Sequence, residues 1–179
     1  NHVVIVGLAA IGTETARLSH CFGANVSAVV RTLRKKPEFI DTLVSSNDFN
    51  RMLPNADFVV SCLPSTPATK HFFNMQHFKR MKKSAVIINI GRGNIINEKD
   101  LIAALQQKTI AGAALDVTEI EPLPKSSPLW RMDNVVITPH HAGSSEKYMD
   151  RAVECFCMNL DAYIKNKALP NLVDKTLGY

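Results

Sequence analysis

The sequence has no apolar run long enough to cross a membrane and no cysteine pair spaced C-x-x-C. Its four cysteines, Cys21, Cys62, Cys155 and Cys157, therefore indicate reduced thiols more than disulfides or a zinc site. The first seven residues already have the pattern of a buried strand, so no signal peptide is predicted. These absences favour a cytoplasmic protein with no metal and no membrane contact.

No charge of one sign dominates the chain, and aromatic residues are sparse at 7%. The formal net charge is +5, from 21 Lys and Arg residues against 16 Asp and Glu residues. Basic residues are scattered apart from two clusters, at 31–36 and 79–83, and the sequence shows no helix-turn-helix and no aromatic platform for single strands. Nucleic-acid binding is therefore not expected. We interpret the second cluster as a solvated helix end, where cations offset the helix dipole.

What the chain does have is a regular alternation of strand-like apolar runs and helical patterns. The predicted strands are 2–6, 25–30, 58–63, 85–90, 110–115 and 135–138. The predicted helices are 11–22, 36–45, 49–53, 75–81, 98–107 with an Asn97 cap, and a long amphipathic helix from a Ser144 cap to about 166. Strands separated by helices imply right-handed βαβ units, so the predicted fold class is α/β with a doubly wound, mainly parallel sheet.

The first predicted strand runs directly into a glycine loop, Gly7-Leu8-Ala9-Ala10-Ile11-Gly12, and a helix follows. This context makes a dinucleotide fingerprint credible. Gly7 is expected to make the tight turn and Gly12 to let helix and strand pack closely, whereas Ala9 puts a methyl group where the pyrophosphate approaches. The alternative is that both glycines serve only a turn in a fold that binds nothing. The functional interpretation predicts a Rossmann-type domain at 1–143, a closing helix at 144–166 and a C-terminal tail at 167–179.

The end of the second predicted strand is basic, with Arg31, Thr32, Arg34 and Lys35 in succession. Folds that bind NAD usually place a carboxylate there to hold the ribose 2′-hydroxyl, and a carboxylate would repel a 2′-phosphate. Guanidinium groups bind a phosphate through two hydrogen bonds. The sequence therefore predicts a preference for NADPH over NADH. The alternative is a solvent-exposed basic turn, which applies more to Arg34 and Lys35 than to Arg31.

Three polar residues that lie far apart in the sequence each follow a predicted strand: Arg92, Glu121 and His140. Because ligands of open α/β sheets bind at the carboxyl ends of strands, we expect these side chains to meet at one edge. A cation, a carboxylate and an imidazole at such an edge suit the reduction of a charged carbonyl compound. Taken singly, each also has a structural alternative as a loop arginine, a turn carboxylate or a packed histidine.

Taken in order, these motifs resemble the D-isomer-specific 2-hydroxyacid dehydrogenase family across nearly the whole chain. The likeness is carried by the glycine loop and by four segments, Ile88-Asn89-Ile90-Gly91-Arg92-Gly93, Ala114-Leu115-Asp116-Val117, Glu121-Pro122-Leu123-Pro124 and Thr138-Pro139-His140. The basic end of the second strand looks most like the glyoxylate/hydroxypyruvate reductase branch. Ala10 departs from the family pattern, which commonly has arginine there, and Thr118 stands where an aromatic residue is frequent.

The resemblance implies an oxidoreductase that transfers hydride between NADPH or NADH and a small 2-oxoacid. Arg92 resembles the arginine that grips the substrate carboxylate, His140 the general acid/base, and Glu121 its partner carboxylate. Asp116 resembles the residue that bonds the nicotinamide carboxamide. The full set of predicted cofactor-binding positions is Gly7, Ala9, Ala10, Ile11, Gly12, Arg31, Thr32, Leu63, Pro64, Ile90, Gly91, Arg92, Asp116, His140 and Gly143.

Members of this family carry a separate substrate-binding lobe, built from an N-terminal segment and the extreme C-terminus. The sequence starts at the first strand of the cofactor domain, and its tail at 167–179 resembles the piece that returns to the lobe. We therefore expect this chain to bind cofactor without efficient turnover, because a half-open cleft neither excludes water nor positions substrate. The resemblance also implies a homodimer.

A second function of a different class suits the same fold, namely a dinucleotide-sensing, corepressor-like interaction protein without significant turnover. The presence of Arg92, Glu121 and His140 favours the enzyme. Formate oxidation fits poorly, because that relative carries an amide where Glu121 stands. Five histidines match no motif and are predicted to be surface or packing residues: His2, His20, His71, His77 and His141.

Overall fold

The structure is a computed structural model that describes residues 1–176 and 178. The chain divides into two compact units, Asn1–Pro139 and His140–Tyr179. The predicted C-terminal tail at 167–179 includes positions 177 and 179, which lie outside the described residues.

The first unit is built on a seven-stranded sheet in which every neighbouring pair of strands is parallel. Its strands are β1 (His2–Val6), β2 (Asn25–Val30), β3 (Thr42–Ser45), β4 (Phe58–Ser61), β5 (Val86–Asn89), β6 (Gly112–Leu115) and β7 (Val135–Ile137). Its α-helices are α1 (Ala10–Cys21), α2 (Met75–Phe78) and α3 (Glu98–Gln106), and 3-10 helices lie at Ser46–Arg51, Leu53–Asn55, Gly93–Ile95 and Pro128–Arg131. The predicted α/β class with a doubly wound parallel sheet is confirmed.

The strand order, β3-β2-β1-β4-β5-β6-β7, reverses between β1 and β4. At the amino ends of these two strands the His2 N–H donates to the Asp57 carboxylate at 2.7 Å. At their carboxyl ends the Cys62 N–H donates to the Val6 carbonyl at 2.8 Å. The loops that follow β1 and β4 therefore lie side by side, at the crevice where doubly wound sheets bind their ligands.

Apolar side chains cover both faces of the sheet, as parallel strands flanked by helices require. Because side chains alternate along a strand, Val4 and Val6 of β1 belong to one core layer, and Val3 and Ile5 belong to the other. All four are buried. The run of apolar residues in β1 is thus explained by burial on both faces.

One core layer contains an aromatic cluster of Phe49, Phe72, Phe73 and His77. The Phe73 ring meets Phe49 edge-on at 5.6 Å between ring centroids and Phe72 edge-on at 5.2 Å, in the T-shaped geometry that aromatic rings prefer. The His77 ring stacks on Phe72 at 5.7 Å. Burial and the nearby Arg80 charge lower the pKa of His77, which favours the neutral imidazole. Of the two roles predicted for this histidine, surface or packing, the structure shows packing.

The helix predicted at 36–45 is wrong, because strand β3 occupies the end of that segment. Asp41 fixes the start of the strand: its carboxylate accepts the Val26 N–H at 2.7 Å, and its own N–H donates to the Val26 carbonyl at 2.8 Å. Pairing of β3 with β2 then outweighs the weak local helical pattern, which Pro37 already interrupts. The helix predicted at 49–53 is also corrected, to the 3-10 helices Ser46–Arg51 and Leu53–Asn55.

The second unit holds the long helix α4 (Tyr148–Ile164), which the apolar periodicity predicts. The prediction that Ser144 caps it is wrong, because the helix begins at Tyr148 without a side-chain cap. The Ser144 N–H instead donates to the His141 carbonyl at 2.9 Å, within a preceding turn. The large apolar side chains of α4 are exposed, namely Tyr148, Met149, Val153, Phe156, Met158, Leu160, Tyr163 and Ile164. Among the described helices none is both long and apolar enough to pass through a bilayer.

Substitution of Phe73 by Ala should lower the free energy of unfolding by about 3–5 kcal/mol, because it removes a fully buried ring from a packed aromatic cluster. Urea denaturation followed by circular dichroism measures this loss. Phe22 is the matched control, since it is 89% exposed after α1, and its replacement by Ala should change stability by less than about 0.5 kcal/mol. Equal effects of the two substitutions would contradict the described core.

Candidate functional site

The loop between β1 and α1 has the geometry that the glycine spacing predicts. Gly7 adopts a left-handed φ of +98°, and a β-carbon there would lie 2.9 Å from the Cys62 carbonyl oxygen. A β-carbon at Gly12 would lie 1.9 Å from the Gly7 carbonyl oxygen, far inside any permitted contact. Only glycine therefore allows the turn and the close packing of α1 against it.

The amino end of α1 faces the same edge of the sheet as the ends of β1 and β4. Ala9 occupies the N-cap position, and no side chain caps the helix. Ala9, Ala10 and Ile11 are exposed, so the extra methyl group of Ala9 does not enter the core. A helix amino end without a side-chain cap presents N–H groups and a positive dipole end. The loop therefore fits a pyrophosphate group.

The basic turn after β2 contacts this loop. Arg31 and Thr32 are exposed directly beyond the strand. The Arg34 guanidinium donates a hydrogen bond to the Leu8 carbonyl within the glycine loop. Arg34 is exposed, as the alternative of a solvent-exposed turn expects, and it also contacts the glycine loop. Guanidinium groups beside a phosphate loop suit a second phosphate.

The turn after β5 positions Arg92 through a residue for which the sequence suggested no role. Asn89 is buried at the end of the strand, its side-chain amide donates to the Arg92 carbonyl at 2.9 Å, and its Oδ1 accepts the Gly91 N–H at 3.2 Å. The sequence signal that could identify this role of Asn89 is a polar residue at the end of an apolar run. The Arg92 side chain is anchored by one hydrogen bond from Nη1 to the Gly91 carbonyl at 2.7 Å.

Asp116 joins the carboxyl ends of three strands. Its N–H donates to the Asn89 carbonyl at 3.0 Å, and its carboxylate accepts the Thr138 hydroxyl at 2.6 Å. The residue is only 7% exposed. β5, β6 and β7 are thus tied together where the sequence predicts a cofactor contact. The predicted cofactor positions Leu63 and Gly91 also meet there, since a β-carbon on Gly91 would lie 2.6 Å from the Leu63 carbonyl oxygen.

Arg92 and Glu121 line one cleft of about 250 Å³. Glu121 is held at the wall by its Oε1, which accepts the Thr118 N–H at 3.1 Å. Thr118 is buried, and its hydroxyl donates to the Ile120 carbonyl at 2.9 Å. Thr118 stands where the family often has an aromatic residue, and its hydroxyl makes a hydrogen bond within the turn at 118–121. The residues lining the cleft are Ser65, Arg92, Gly93, Asn94, Thr118, Glu119 and Glu121.

His140 and Gly143 belong to the second unit. His140 follows Pro139 with a left-handed φ of +52° and is exposed. Gly143 is exposed, and a β-carbon there would meet nothing within 4 Å. Their predicted roles in catalysis and cofactor binding remain predictions.

A larger concavity of about 1060 Å³ lies at the opposite edge of the sheet, around the segments that precede β5, β6 and β7. Lys79, Lys83 and Lys108 line it together with Asp133. We do not assign it as the ligand-binding site, because ligands of doubly wound sheets bind at the carboxyl ends of the strands. Among the described residues no group of three or more His, Cys, Asp or Glu side chains could hold a metal ion.

Comparison with known proteins agrees with this fold. The family model described as "D-isomer specific 2-hydroxyacid dehydrogenase, NAD binding domain" matches residues 1–142. A glyoxylate/hydroxypyruvate reductase B of Escherichia fergusonii is 39% identical over 95% of this chain and 52% of its own length. A glyoxylate reductase of Korarchaeum cryptofilum is 34% identical over 96% of this chain and 51% of its own length.

Solved structures show the same likeness. A D-isomer specific 2-hydroxyacid dehydrogenase from Xanthobacter autotrophicus Py2, in complex with NADPH and MES, has a TM-score of 0.93 and 34% identity, covering 99% of this chain and 72% of that one. An NADPH-dependent glyoxylate/hydroxypyruvate reductase from Sinorhizobium meliloti, in complex with NADP and sulfate, has a TM-score of 0.91 and 32% identity, covering 99% of this chain and 57% of that one.

The chain therefore belongs to the D-isomer-specific 2-hydroxyacid dehydrogenase family, and residues 1–142 correspond to the family's NAD-binding domain. It spans about half the length of the curated relatives described above.

The Cys62 thiol, next to the glycine loop, should react slowly with iodoacetamide at pH 8. Burial disfavours its thiolate and raises its pKa to about 11. Because the thiolate is the nucleophile, about one thiol in a thousand is reactive at pH 8, and the rate should rise about tenfold per pH unit up to that pKa. Mass-spectrometric mapping between pH 7 and 9.5 measures the rate, with exposed Cys21 as the reference. Modification of Cys62 at pH 8 as fast as that of Cys21 would contradict the described burial.

Proposed function

We propose that the protein is an oxidoreductase that reduces a small 2-oxoacid to a D-2-hydroxy acid with NADPH, and that glyoxylate and hydroxypyruvate are among its substrates. One observation carries the proposal: Arg92 and Glu121 line a single cleft at the carboxyl edge of the sheet. The glyoxylate/hydroxypyruvate reductases among the relatives support the choice of substrates.

Each proposed catalytic residue has a role that its chemistry allows. When bound, the nicotinamide supplies the hydride. The Arg92 guanidinium binds the substrate carboxylate and stabilises the negative charge that develops on the carbonyl oxygen. His140 gives that oxygen a proton, and Glu121 takes the role of the family's partner carboxylate. A 2-oxoacid needs all three groups, because it carries a fixed negative charge and gains a second one during reduction.

The proposed preference for NADPH rests on the basic turn after β2. Arg31 and Thr32 are exposed beyond the strand, and Arg34 contacts the glycine loop. No carboxylate stands among residues 31–36 to repel a 2′-phosphate. The complexes of the Xanthobacter and Sinorhizobium relatives with NADPH and NADP point the same way.

We also propose that the protein acts as a homodimer in the cytoplasm. The exposed apolar side chains of α4 support an interaction surface, because large exposed apolar patches commonly mark sites of association. The free cysteines Cys21, Cys62, Cys155 and Cys157 support a reducing compartment.

Turnover of 2-oxoacids by the full-length product of the gene tests the proposed function. Glyoxylate, hydroxypyruvate, pyruvate and 2-oxoisocaproate are each offered with NADPH, and oxidation of the cofactor is followed at 340 nm. We expect turnover with at least one of the first two substrates. Substitution of His140 by Ala should lower kcat by about 10²–10⁴-fold, because the proton donor is lost.

The matched control is substitution of His20 by Ala, since His20 is an exposed histidine near the end of α1. It should leave kcat unchanged. If the protein binds a partner in a cofactor-dependent way but turns over no 2-oxoacid, the dinucleotide-sensing function is supported and the enzymatic function is rejected.

The cofactor preference is tested separately from turnover. The wild-type protein should show a higher kcat/KM with NADPH than with NADH. Substitution of Arg31 by Ala should raise the KM for NADPH about tenfold, because a charged hydrogen bond to the 2′-phosphate is lost, and should leave the KM for NADH unchanged. Arg51, an exposed arginine that pairs with Asp48, serves as the control. A clear wild-type preference for NADH would contradict the assignment of the basic turn.

A further inference from the structure

His71 has a backbone conformation that its residue type rarely adopts. Its φ is +52°, in the left-handed region that costs a non-glycine residue about 1–2 kcal/mol. Such conformations persist where surrounding bonds determine them, and they concentrate at functional sites. His71 lies in the loop between β4 and α2, and its side chain is about one third exposed.

His71 contacts both turns that form the cleft of Arg92 and Glu121. Its backbone N–H donates to the Asn94 carbonyl at 2.8 Å, beside the Arg92 turn. Its ring Nε2 donates to Glu119 Oε1 at 2.6 Å, within the turn at 118–121 that carries Glu121. One residue thus connects the two walls.

Glu119 is also bonded to the amino end of α3. Its Oε2 accepts the Glu98 N–H at 3.3 Å, and its own N–H donates to the Glu98 carboxylate at 3.0 Å. Each of the two carboxylates thus accepts the backbone N–H of the other residue. The imidazole of His71 donates to the same Glu119 carboxylate, on its other oxygen. Without it, the turn at 118–121 keeps its backbone bonds but loses the contact that stabilises the Glu119 carboxylate.

A close backbone contact makes the cleft sensitive to this turn. A β-carbon on Gly93 would lie 1.7 Å from the Thr118 carbonyl oxygen, so the two turns touch through their backbones. Thr118 in turn holds the Glu121 carboxylate through its N–H. Any shift of the 118–121 turn therefore moves Glu121 relative to Arg92.

We propose that His71 is a positioning residue for the reaction: through Glu119 it holds the 118–121 turn, and with it Glu121, against the turn that carries Arg92. The role rests on the proposed reduction of 2-oxoacids, in which both residues act. His71 touches neither substrate nor cofactor in this role. Its loss should therefore reduce kcat and leave cofactor affinity unchanged.

The first experiment measures the turn without using activity. Amide hydrogen exchange of Thr118, Glu119 and Glu98 is followed by NMR in the wild-type protein and in His71→Leu, His71→Gln and His20→Gln. Exchange at these amides should become about tenfold faster in His71→Leu, which has no donor for Glu119. His71→Gln keeps an amide donor and should restore slow exchange. His20→Gln is the matched control on exposed α1.

The second experiment uses the same variants of the full-length product with NADPH and glyoxylate. His71→Leu should lower kcat by about 10–100-fold, since a misplacement near 1 Å has effects of that size. The Kd for NADPH, measured by nicotinamide fluorescence, should stay within about twofold of wild type. His71→Gln should recover most of kcat.

The outcomes separate this proposal from the proposed function. Unchanged exchange in His71→Leu, or equal loss of kcat and of NADPH affinity, overturns the positioning role. If the wild-type protein reduces no 2-oxoacid, the proposed function fails, and the exchange data alone then decide whether His71 holds the turn. Faster exchange in His71→Leu with recovery in His71→Gln supports that role.

Discussion

Direct backbone contacts at two glycines set the shape of the carboxyl edge of the sheet. A β-carbon at Gly12 would lie 1.9 Å from the Gly7 carbonyl oxygen, and one at Gly93 would lie 1.7 Å from the Thr118 carbonyl oxygen. The first contact brings α1 against the glycine loop, and the second brings together the two walls of the cleft. Because any side chain would force these backbones apart, the cofactor loop and the candidate active site both depend on the absence of a methyl group.

The parts of the fold that sequence reasoning predicts are those with local causes. β1 and β2 have the predicted bounds, because burial on both faces makes each a mostly apolar run ended by glycine or charge. The Asn97 cap of α3 is confirmed, since its side chain accepts the Asp100 N–H. Arg92 and Glu121 share a cleft because the carboxyl ends of parallel strands lie at one edge.

The parts that escape prediction have causes far away in the chain. β3 is a strand because it pairs with β2, and nothing in its own four residues outweighs the surrounding helical pattern. Ser144 resembles a cap by residue type alone, whereas the turn it joins decides where α4 begins. His71 and Glu119 lie 48 residues apart, and neither has a motif that connects them. Residue type and spacing in the sequence do not reveal such contacts, because these contacts form only in the folded sheet.

The reversal of strand order between β1 and β4 also governs when the crevice can form during folding. Only one helix separates β1 from β2 in the sequence, whereas β1 can pair with β4 only after a loop of about fifty residues has closed. The hydrogen bond from His2 to Asp57 accordingly joins residues 55 positions apart. Closing a long loop has an entropic penalty that must be met before the contacts inside it contribute. A nascent chain that has emerged only as far as β3 therefore holds the complete glycine loop but has no crevice beside it.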